Sequence, residues 1–91
     1  MLNIEAVVKV VKWVNLNCTI QTSDVPDGYS VDIRTKYNDA KTSIVLSKSK
    51  TLKGNTATLM VDDGAESQAA TIVLFDENER ILDKKPTTVG G

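Results

Sequence analysis

Apolar and polar residues alternate along much of this chain, and the alternation is clearest over residues 14–21. The apolar positions of this segment, spaced two residues apart, are Val14, Leu16, Cys18 and Ile20. A period of two places successive side chains on opposite sides of an extended backbone, so one side can be buried while the other faces water. We therefore predict a β-strand over residues 14–21 with one solvated side.

Residues 4–13 fit two different periods. The pairs Val8/Val10 and Val11/Trp13 suit a strand with a bulge near Val10 and Val11. A helix would instead gather a different set on one side, namely Ile4, Val7, Val8, Val11 and Val14. Because this window holds four valines, which lower helix propensity, we favour the strand.

Turn signals divide the rest of the chain into further apolar segments. Pro26-Asp27-Gly28 predicts a reversal, because Pro fixes φ and Gly accepts a positive φ. The strands predicted between this and later turns cover residues 29–37, 42–50, 56–61, 69–75 and 80–89. Seven strands at this spacing predict a single all-β domain over residues 1–91, an antiparallel two-sheet sandwich. Residues 1–13 would form its first strand or an arm.

Two features predict which strands lie at the edges of the sheets. Three lysines follow the apolar residues Ile44-Val45-Leu46, which we expect to be buried. These lysines are Lys48, Lys50 and Lys53. Lysines at an exposed edge oppose pairing with another chain. Pro86 has no backbone N–H, so the strand over residues 80–89 should also lie at an edge.

Charge and rare residue types narrow the chemistry. Eleven Lys and Arg against twelve Asp and Glu give a net charge of −1, which argues against nucleic acid and anionic membranes as partners. No apolar run approaches the roughly 18 residues of a membrane helix. With no histidine and one cysteine, the chain cannot assemble a Cys/His zinc site, a Ser-His-Asp triad or a Cys-His dyad. We expect a protein that is not an enzyme and holds no metal or cofactor.

Three groups of residues are candidates for a functional role, and each has a structural alternative. Cys18 lies on the apolar side of the clearest strand, so we expect it in the core rather than as a reactive thiol. Trp13 suits the core or an interface anchor, and the core is favoured. Acidic residues on two predicted loops offer oxygens for Ca²⁺, but no spacing matches a calcium loop and solvated turns are the simpler interpretation. They are Asp62, Asp63, Glu66, Asp76, Glu77 and Glu79.

Three features of the chain carry a resemblance to a known family: the count of seven short strands, the hairpin TIVLFDENERIL at residues 71–82 and the ending TTVGG at residues 87–91. By these features the chain resembles small immunoglobulin-like modules of phage virion and bacterial surface proteins. Antibody-type domains differ, because they carry two cysteines and a Trp after the first, whereas here Trp13 precedes the single Cys18. The looser resemblance implies an immunoglobulin-like sandwich with a binding or decorating role.

Most concretely, the resemblance implies a virion decoration or cement protein that docks on a capsid or tail surface. Such a protein would be made in the host cytoplasm and carried in the virion, and would otherwise be cytoplasmic. The contact is expected in the N-terminal segment, which is apolar on both sides if extended. The candidate contact residues are Ile4, Val7, Val8, Val10, Val11 and Trp13.

Two other functions remain open at this point. A small inhibitor or adaptor would bind one enzyme through the acidic loops and would be a monomer with one partner, whereas a decorating protein often self-associates. Gly90-Gly91 is also the ending of ubiquitin-like carriers. Those proteins have a β-grasp fold with a helix across the sheet, and residues 23–58 show no helical period, so a frayed terminus is the simpler interpretation.

Overall fold

The computed structural model describes residues 7–36, 43–62 and 64–90, and these form eight β-strands. The strands are β1 (Val8–Val14), β2 (Asn17–Thr22), β3 (Ser30–Arg34), β4 (Ile44–Val45), β5 (Ser47–Lys48), β6 (Asn55–Met60), β7 (Ala69–Phe75) and β8 (Ile81–Thr88). The all-β prediction is confirmed, and the expected count of seven strands is corrected to eight. The predicted turn at residues 38–41 lies outside the described residues, as do Ile4 and Thr42.

The strands form two four-stranded sheets, in the orders β1-β2-β6-β5 and β4-β3-β7-β8. Every described ladder between neighbouring strands is antiparallel. The side chains that each sheet turns toward the other form one core, which includes Ile20 and Leu59 from the first sheet and Val31, Ile33 and Ile72 from the second. The predicted two-sheet arrangement is therefore present.

The extra strand arises at Leu46. The segment over residues 42–50, predicted as one strand, pairs first with β3 as β4 and then with β6 as β5. Between the two strands the Leu46 side chain is 5% exposed, and its N–H donates to the carbonyl of Tyr29 over 2.8 Å. Because Leu46 enters the core at this point, the chain passes from the second sheet to the first.

The predicted strand over residues 14–21 is wrong at its start. The chain turns at Asn15 and Leu16, which have φ values of 49° and 66°, and β2 begins at Asn17. A two-residue hairpin of type I′ needs positive φ at both central residues, and Asn adopts this conformation more easily than most residues. The β1–β2 hairpin therefore closes where alternation alone predicts a continuous strand.

The preference for a strand over a helix in the N-terminal segment is confirmed for its described part, β1. Val10 pairs with Ile20 and Lys12 with Thr19, so Val11 is an extra residue in the ladder. This is the bulge predicted near Val10 and Val11. Val11 consequently has no partner of its own in the β1–β2 ladder.

The edge predictions agree with the sheet order. β5, which contains Lys48, and β8, which contains Pro86, each lie at an edge. The expectation that Ile44-Val45-Leu46 is buried is wrong for two residues, since Ile44 and Val45 are 37% and 61% exposed. A two-residue edge strand that is bonded on one side only leaves such side chains open to solvent.

Candidate functional site

The predicted contact residues of the N-terminal segment divide between core and surface. Val8 is 4% exposed and belongs to the core, and Val10 and Trp13 pack against the core while partly buried. Val7 and Val11 are exposed. The predicted contact surface is thus reduced, within the described residues, to Val7 and Val11, because inward-facing side chains are not available to a partner.

Trp13 packs on the core, which is the role favoured for it, and it does so from an edge strand. Its indole Nε1 is buried and has no hydrogen-bond partner among the described residues. A buried donor without a partner lowers stability by about 1–3 kcal/mol. The ring is therefore held by apolar packing.

A second apolar surface lies on the outer side of the other sheet, and we call it the outer row. It consists of Val45, Phe75 and Ile81. The ladders place these residues in one line across all four strands, since Val45 pairs with Ser30, Ser30 with Phe75, and Phe75 with Ile81. Val45 and Ile81 are 61% and 48% exposed. With strands about 4.8 Å apart, the row spans roughly 14 Å.

The pattern of apolar residues along the chain does not reveal the outer row. Val45 was expected in the core, and Phe75 ends a nearly continuous apolar run that offers no alternation to mark its outward side. Ile81 follows an acidic turn on the next strand. The three residues come together only through the pairing of β4, β3, β7 and β8, so the missing information was strand order.

Beside the outer row, the side chain of Arg34 lies between a carboxylate and an aromatic ring. Its Nε donates to Asp32 Oδ2 over 3.4 Å, and its Cζ lies 5.7 Å from the centroid of the Phe75 ring. This second distance is within the range of a cation–π contact. The Arg34 side chain is 33% exposed, whereas that of Asp32 is 2% exposed. Arg34 thus partners the buried carboxylate while about one third of its own side chain remains exposed.

A pocket of about 170 Å³ opens at this place. Its lining residues are Asp32, Arg34, Ser43, Phe75 and Glu79. The pocket is smaller than the 300–1,000 Å³ typical of ligand sites. It is better suited to receive one side chain of a protein partner than a whole small molecule.

The acidic residue Asp76 has a structural role in the β7–β8 loop. One carboxylate oxygen, Oδ1, accepts from the N–H groups of Asn78 and Arg80 over 2.8 and 2.9 Å, and the other accepts from Arg80 Nε over 3.2 Å. The Arg80 N–H is the main cause that lowers the pKa of Asp76; burial opposes it, and Asn78 and the Arg80 guanidinium assist it. Asp76 therefore fixes the turn and has little capacity left for a metal.

No group of three or more His, Cys, Asp or Glu side chains in the described ranges is arranged to hold a metal ion. Among the acidic residues considered for Ca²⁺, Asp63 lies outside those ranges, and Asp62, Glu66, Glu77 and Glu79 are exposed. Exposed turn carboxylates are normally solvated rather than occupied.

Cys18 is in the core, as predicted, with 0% exposure. Burial raises the pKa of its thiol to about 11. A nucleophilic cysteine needs a thiolate and access to solvent. Cys18 has neither at neutral pH, so its place in the structure is that of a small apolar residue.

The end of the chain is anchored as far as Val89. Its side chain is 2% exposed, its N–H donates to the carbonyl of Gln68, and its carbonyl accepts from Ser67. The fraying predicted for Gly90-Gly91 stays a prediction, and the residue before this pair is fixed in place. A Gly-Gly carrier needs a projecting tail, and here burial and hydrogen bonding reach the residue just before Gly90.

Comparison of the chain with protein-family models, with curated proteins and with solved structures gave no match. In the described part of the chain, no helix is long and apolar enough to span a membrane. A function for this chain is therefore inferred from its fold and its surface.

Proposed function

We propose that this chain is a non-catalytic, immunoglobulin-like binding module that docks on a larger protein assembly. The observation that carries the proposal is the outer row, in which exposed apolar side chains from edge strands on both sides of one sheet flank Phe75. Exposed apolar residues that lie singly are ordinary, but a line of them across a sheet is typical of an interaction surface.

The strand order supports the immunoglobulin-like part of the proposal. In that fold one sheet has the strand order A-B-E-D and the other contains C, F and G. Here β1-β2-β6-β5 corresponds to the first order, and β3-β7-β8 corresponds to the second. β4 then takes the place of the additional strand beside C. The inter-sheet disulfide of antibody domains has no counterpart, since Cys18 is the single cysteine.

The surface around the outer row indicates the chemistry of the partner. Val45, Phe75 and Ile81 require an apolar area opposite them. Arg34, whose side chain is 33% exposed, is suited to a carboxylate of the partner, because a guanidinium binds a carboxylate through two parallel hydrogen bonds. We propose a protein surface with these two properties, repeated in a capsid or tail, so that the chain acts as a decoration or cement protein in the virion.

Co-sedimentation with assembled capsids and tails from the source of the chain tests this function. We expect binding at a fixed stoichiometry. Val45→Ser combined with Ile81→Ser should weaken it by at least about tenfold, because two apolar side chains lose their buried area. Both residues are exposed, so the fold should be unchanged.

Met60→Ser is the matched control, since Met60 is 71% exposed on the other sheet. It should leave binding unchanged. A third variant, Val7→Ser with Val11→Ser, tests the surface predicted from the sequence, and loss of binding in this variant alone would move the contact to β1. A monomer that binds no particle but binds one soluble enzyme in a 1:1 complex would overturn the proposal in favour of an inhibitor or adaptor.

A further inference from the structure

The turn between β1 and β2 places a bulky residue in an unfavourable backbone conformation. Asn15 and Leu16 both have positive φ, at 49° and 66°. Asn accepts this conformation because its short polar side chain can bond locally, whereas Leu does so rarely. Gly is the usual residue at the second position of such a turn. The closed hairpin is therefore strained at Leu16.

The same residues suit an extended backbone. Val14, Leu16, Cys18 and Ile20 alternate with polar residues, and neither Gly nor Pro occurs between residues 14 and 22. This alternation predicts one strand through the position of the turn. Sequence preference and closed structure thus disagree at Asn15 and Leu16, and extension of these residues would remove the disagreement.

β1 is also a strand that can change partner. It lies at the edge of its sheet and pairs with β2 alone. Its further hydrogen bonds join Val7 to Ser23 and the Val8 carbonyl to Lys85 Nζ. All of these contacts link residues before the turn with residues after it. A β1 strand from a second copy would make the same contacts, with the same core packing by Val8, Val10 and Trp13.

We propose that the Asn15–Leu16 turn opens and that β1 is exchanged between two copies of this chain. In the exchanged dimer each β1 pairs with β2 of the other copy. The contacts of β1 in the closed monomer are kept. The bonds of the turn itself, from the Val61 N–H to the Leu16 carbonyl and from Asn17 Nδ2 to the Asn15 carbonyl, are released together with the left-handed conformation at Leu16 in both chains. Short hinge loops under strain favour exchange of this kind. The inference does not depend on the proposed docking function, because it concerns β1 and a second copy only.

A crosslink distinguishes the exchanged dimer from any other dimer. Val8 and Thr22 are opposite each other in the β1–β2 ladder, on the inner side. We would make Val8→Cys and Thr22→Cys in a Cys18→Ala background, refold the chain at millimolar concentration, separate monomer from dimer and oxidise each fraction. Denaturing electrophoresis without reductant should show covalent dimers from the dimer fraction and closed monomers from the monomer fraction. A dimer fraction that yields only closed monomers would overturn the proposal.

Substitutions at Leu16 test the cause of exchange. Leu16→Gly should disfavour the dimer and Leu16→Val should favour it, because Gly accepts positive φ freely and a β-branched residue does not. The left-handed conformation at residue 16 changes the equilibrium between the closed and the open turn by about tenfold between the two variants. Because two turns open in each dimer, the dimer association constants should differ by about a hundredfold.

Leu16→Gly removes the whole side chain that packs on the core and Leu16→Val removes one carbon of it, so denaturation of each monomer would measure this difference in packing separately from the dimer association constant. Circular dichroism would confirm that each is folded. Equal dimer association constants for the two variants would contradict the proposed cause. Absence of dimer in both the unmodified chain and the folded Leu16→Val variant at millimolar concentration would contradict exchange itself.

Discussion

Lys85 donates a hydrogen bond from Nζ to the backbone carbonyl of Val8 over 2.6 Å, across 77 positions of sequence. Lys85 lies on β8, at the edge of one sheet, and Val8 lies on β1, at the edge of the other. Within its own sheet Lys85 pairs with Ile72, a core residue, so its side chain starts on the inner side. An inward-pointing charge at an edge discourages pairing with other chains. Here it also joins the two sheets along their open side.

We expect Lys85→Met to lower the free energy of unfolding by about 1–2 kcal/mol. The variant keeps the apolar stem and removes the ammonium group, leaving the Val8 carbonyl without this donor. Chemical denaturation measures the loss. Hydrogen exchange should show it most strongly in β1 and in β8.

Lys84→Met is the matched control for that change. Lys84 is exposed and pairs with Val73, so its side chain lies on the opposite side of the same strand. Its replacement should change stability by less than about 0.5 kcal/mol. An equal loss in both variants would show that the effect comes from surface charge and not from the bond to Val8.

Gly54 is predicted to be the least replaceable glycine of the described chain. It has a φ of 91°, and a Cβ at this position would overlap the carbonyl oxygen of Thr22. Gly54→Ala therefore adds a backbone clash to the cost of positive φ. We expect a loss of at least about 3 kcal/mol in the free energy of unfolding, measured by thermal and urea denaturation.

Gly64→Ala separates the two causes. Gly64 has a φ of 93°, nearly the same value, but no atom lies within 4 Å of the Cβ position. Gly64→Ala should lower the free energy of unfolding by about 1–2 kcal/mol, because the positive φ is its only cause of destabilisation. If Gly54→Ala costs no more than Gly64→Ala, the approach of Thr22 has little influence on stability.

Alternation and turn residues predicted the strand content of this protein because those signals are local. β7 falls on the predicted residues 69–75, and β8 differs from its prediction by one residue at each end. The Asn15–Leu16 turn was missed because Leu16 is not a turn residue, so tertiary pairing decided its conformation. The sequence does not predict the division of residues 42–50 into β4 and β5, because both strands are extended and have the same local pattern. The division depends on the side chain of Leu46, which enters the core between the two strands.

The candidate site was less predictable than the fold. The N-terminal segment is predicted as the contact because it is apolar on both sides. In the structure, which has a bulge at Val11, three of the six candidate residues face the core: Val8, Val10 and Trp13. The outer row depends on the pairing of Val45, Phe75 and Ile81 through Ser30. Residues from three separate strands cannot be placed in one line without the strand order, and a single sequence does not contain it.

The buried thiol of Cys18 should make stability depend on alkaline pH. Its pKa is about 11 in the folded chain, raised by burial from the ordinary value of 9.0. The folded state therefore holds this proton more tightly than the unfolded state. The contribution of this proton to the free energy of unfolding is complete below pH 9. It is lost as pH rises from 9 toward 11, by up to about 1.4 kcal/mol per pH unit.

Comparison with Cys18→Ala isolates this effect, because the tyrosines and lysines titrate in both chains. At pH 7 the variant should be less stable by about 1–2 kcal/mol, from the cavity that it leaves. The difference between the two free energies of unfolding should narrow above pH 9. A difference that stays constant to pH 11 would contradict the raised pKa.

At the acid end, Asp76 should control the pH dependence of the β7–β8 loop. Hydrogen bonds to its ionised form hold the pKa of this carboxyl below its ordinary value of 3.8. A lowered pKa means that the unfolded state takes up the proton first. The contribution of Asp76 to stability is complete above pH 3.8 and is lost as pH falls below it.

Asp76→Asn tests this dependence with little change of shape, since an amide oxygen can still accept from the N–H groups of Asn78 and Arg80. The variant should have a lower midpoint of urea denaturation than the unmodified chain at pH 7, and the two midpoints should converge as pH falls below 3.8. Glu77→Gln, an exposed neighbour, should leave the midpoint unchanged at pH 7. If the urea midpoint of Asp76→Asn stays equally far below that of the unmodified chain in acid, then geometry, and not the charge on Asp76, stabilises the turn.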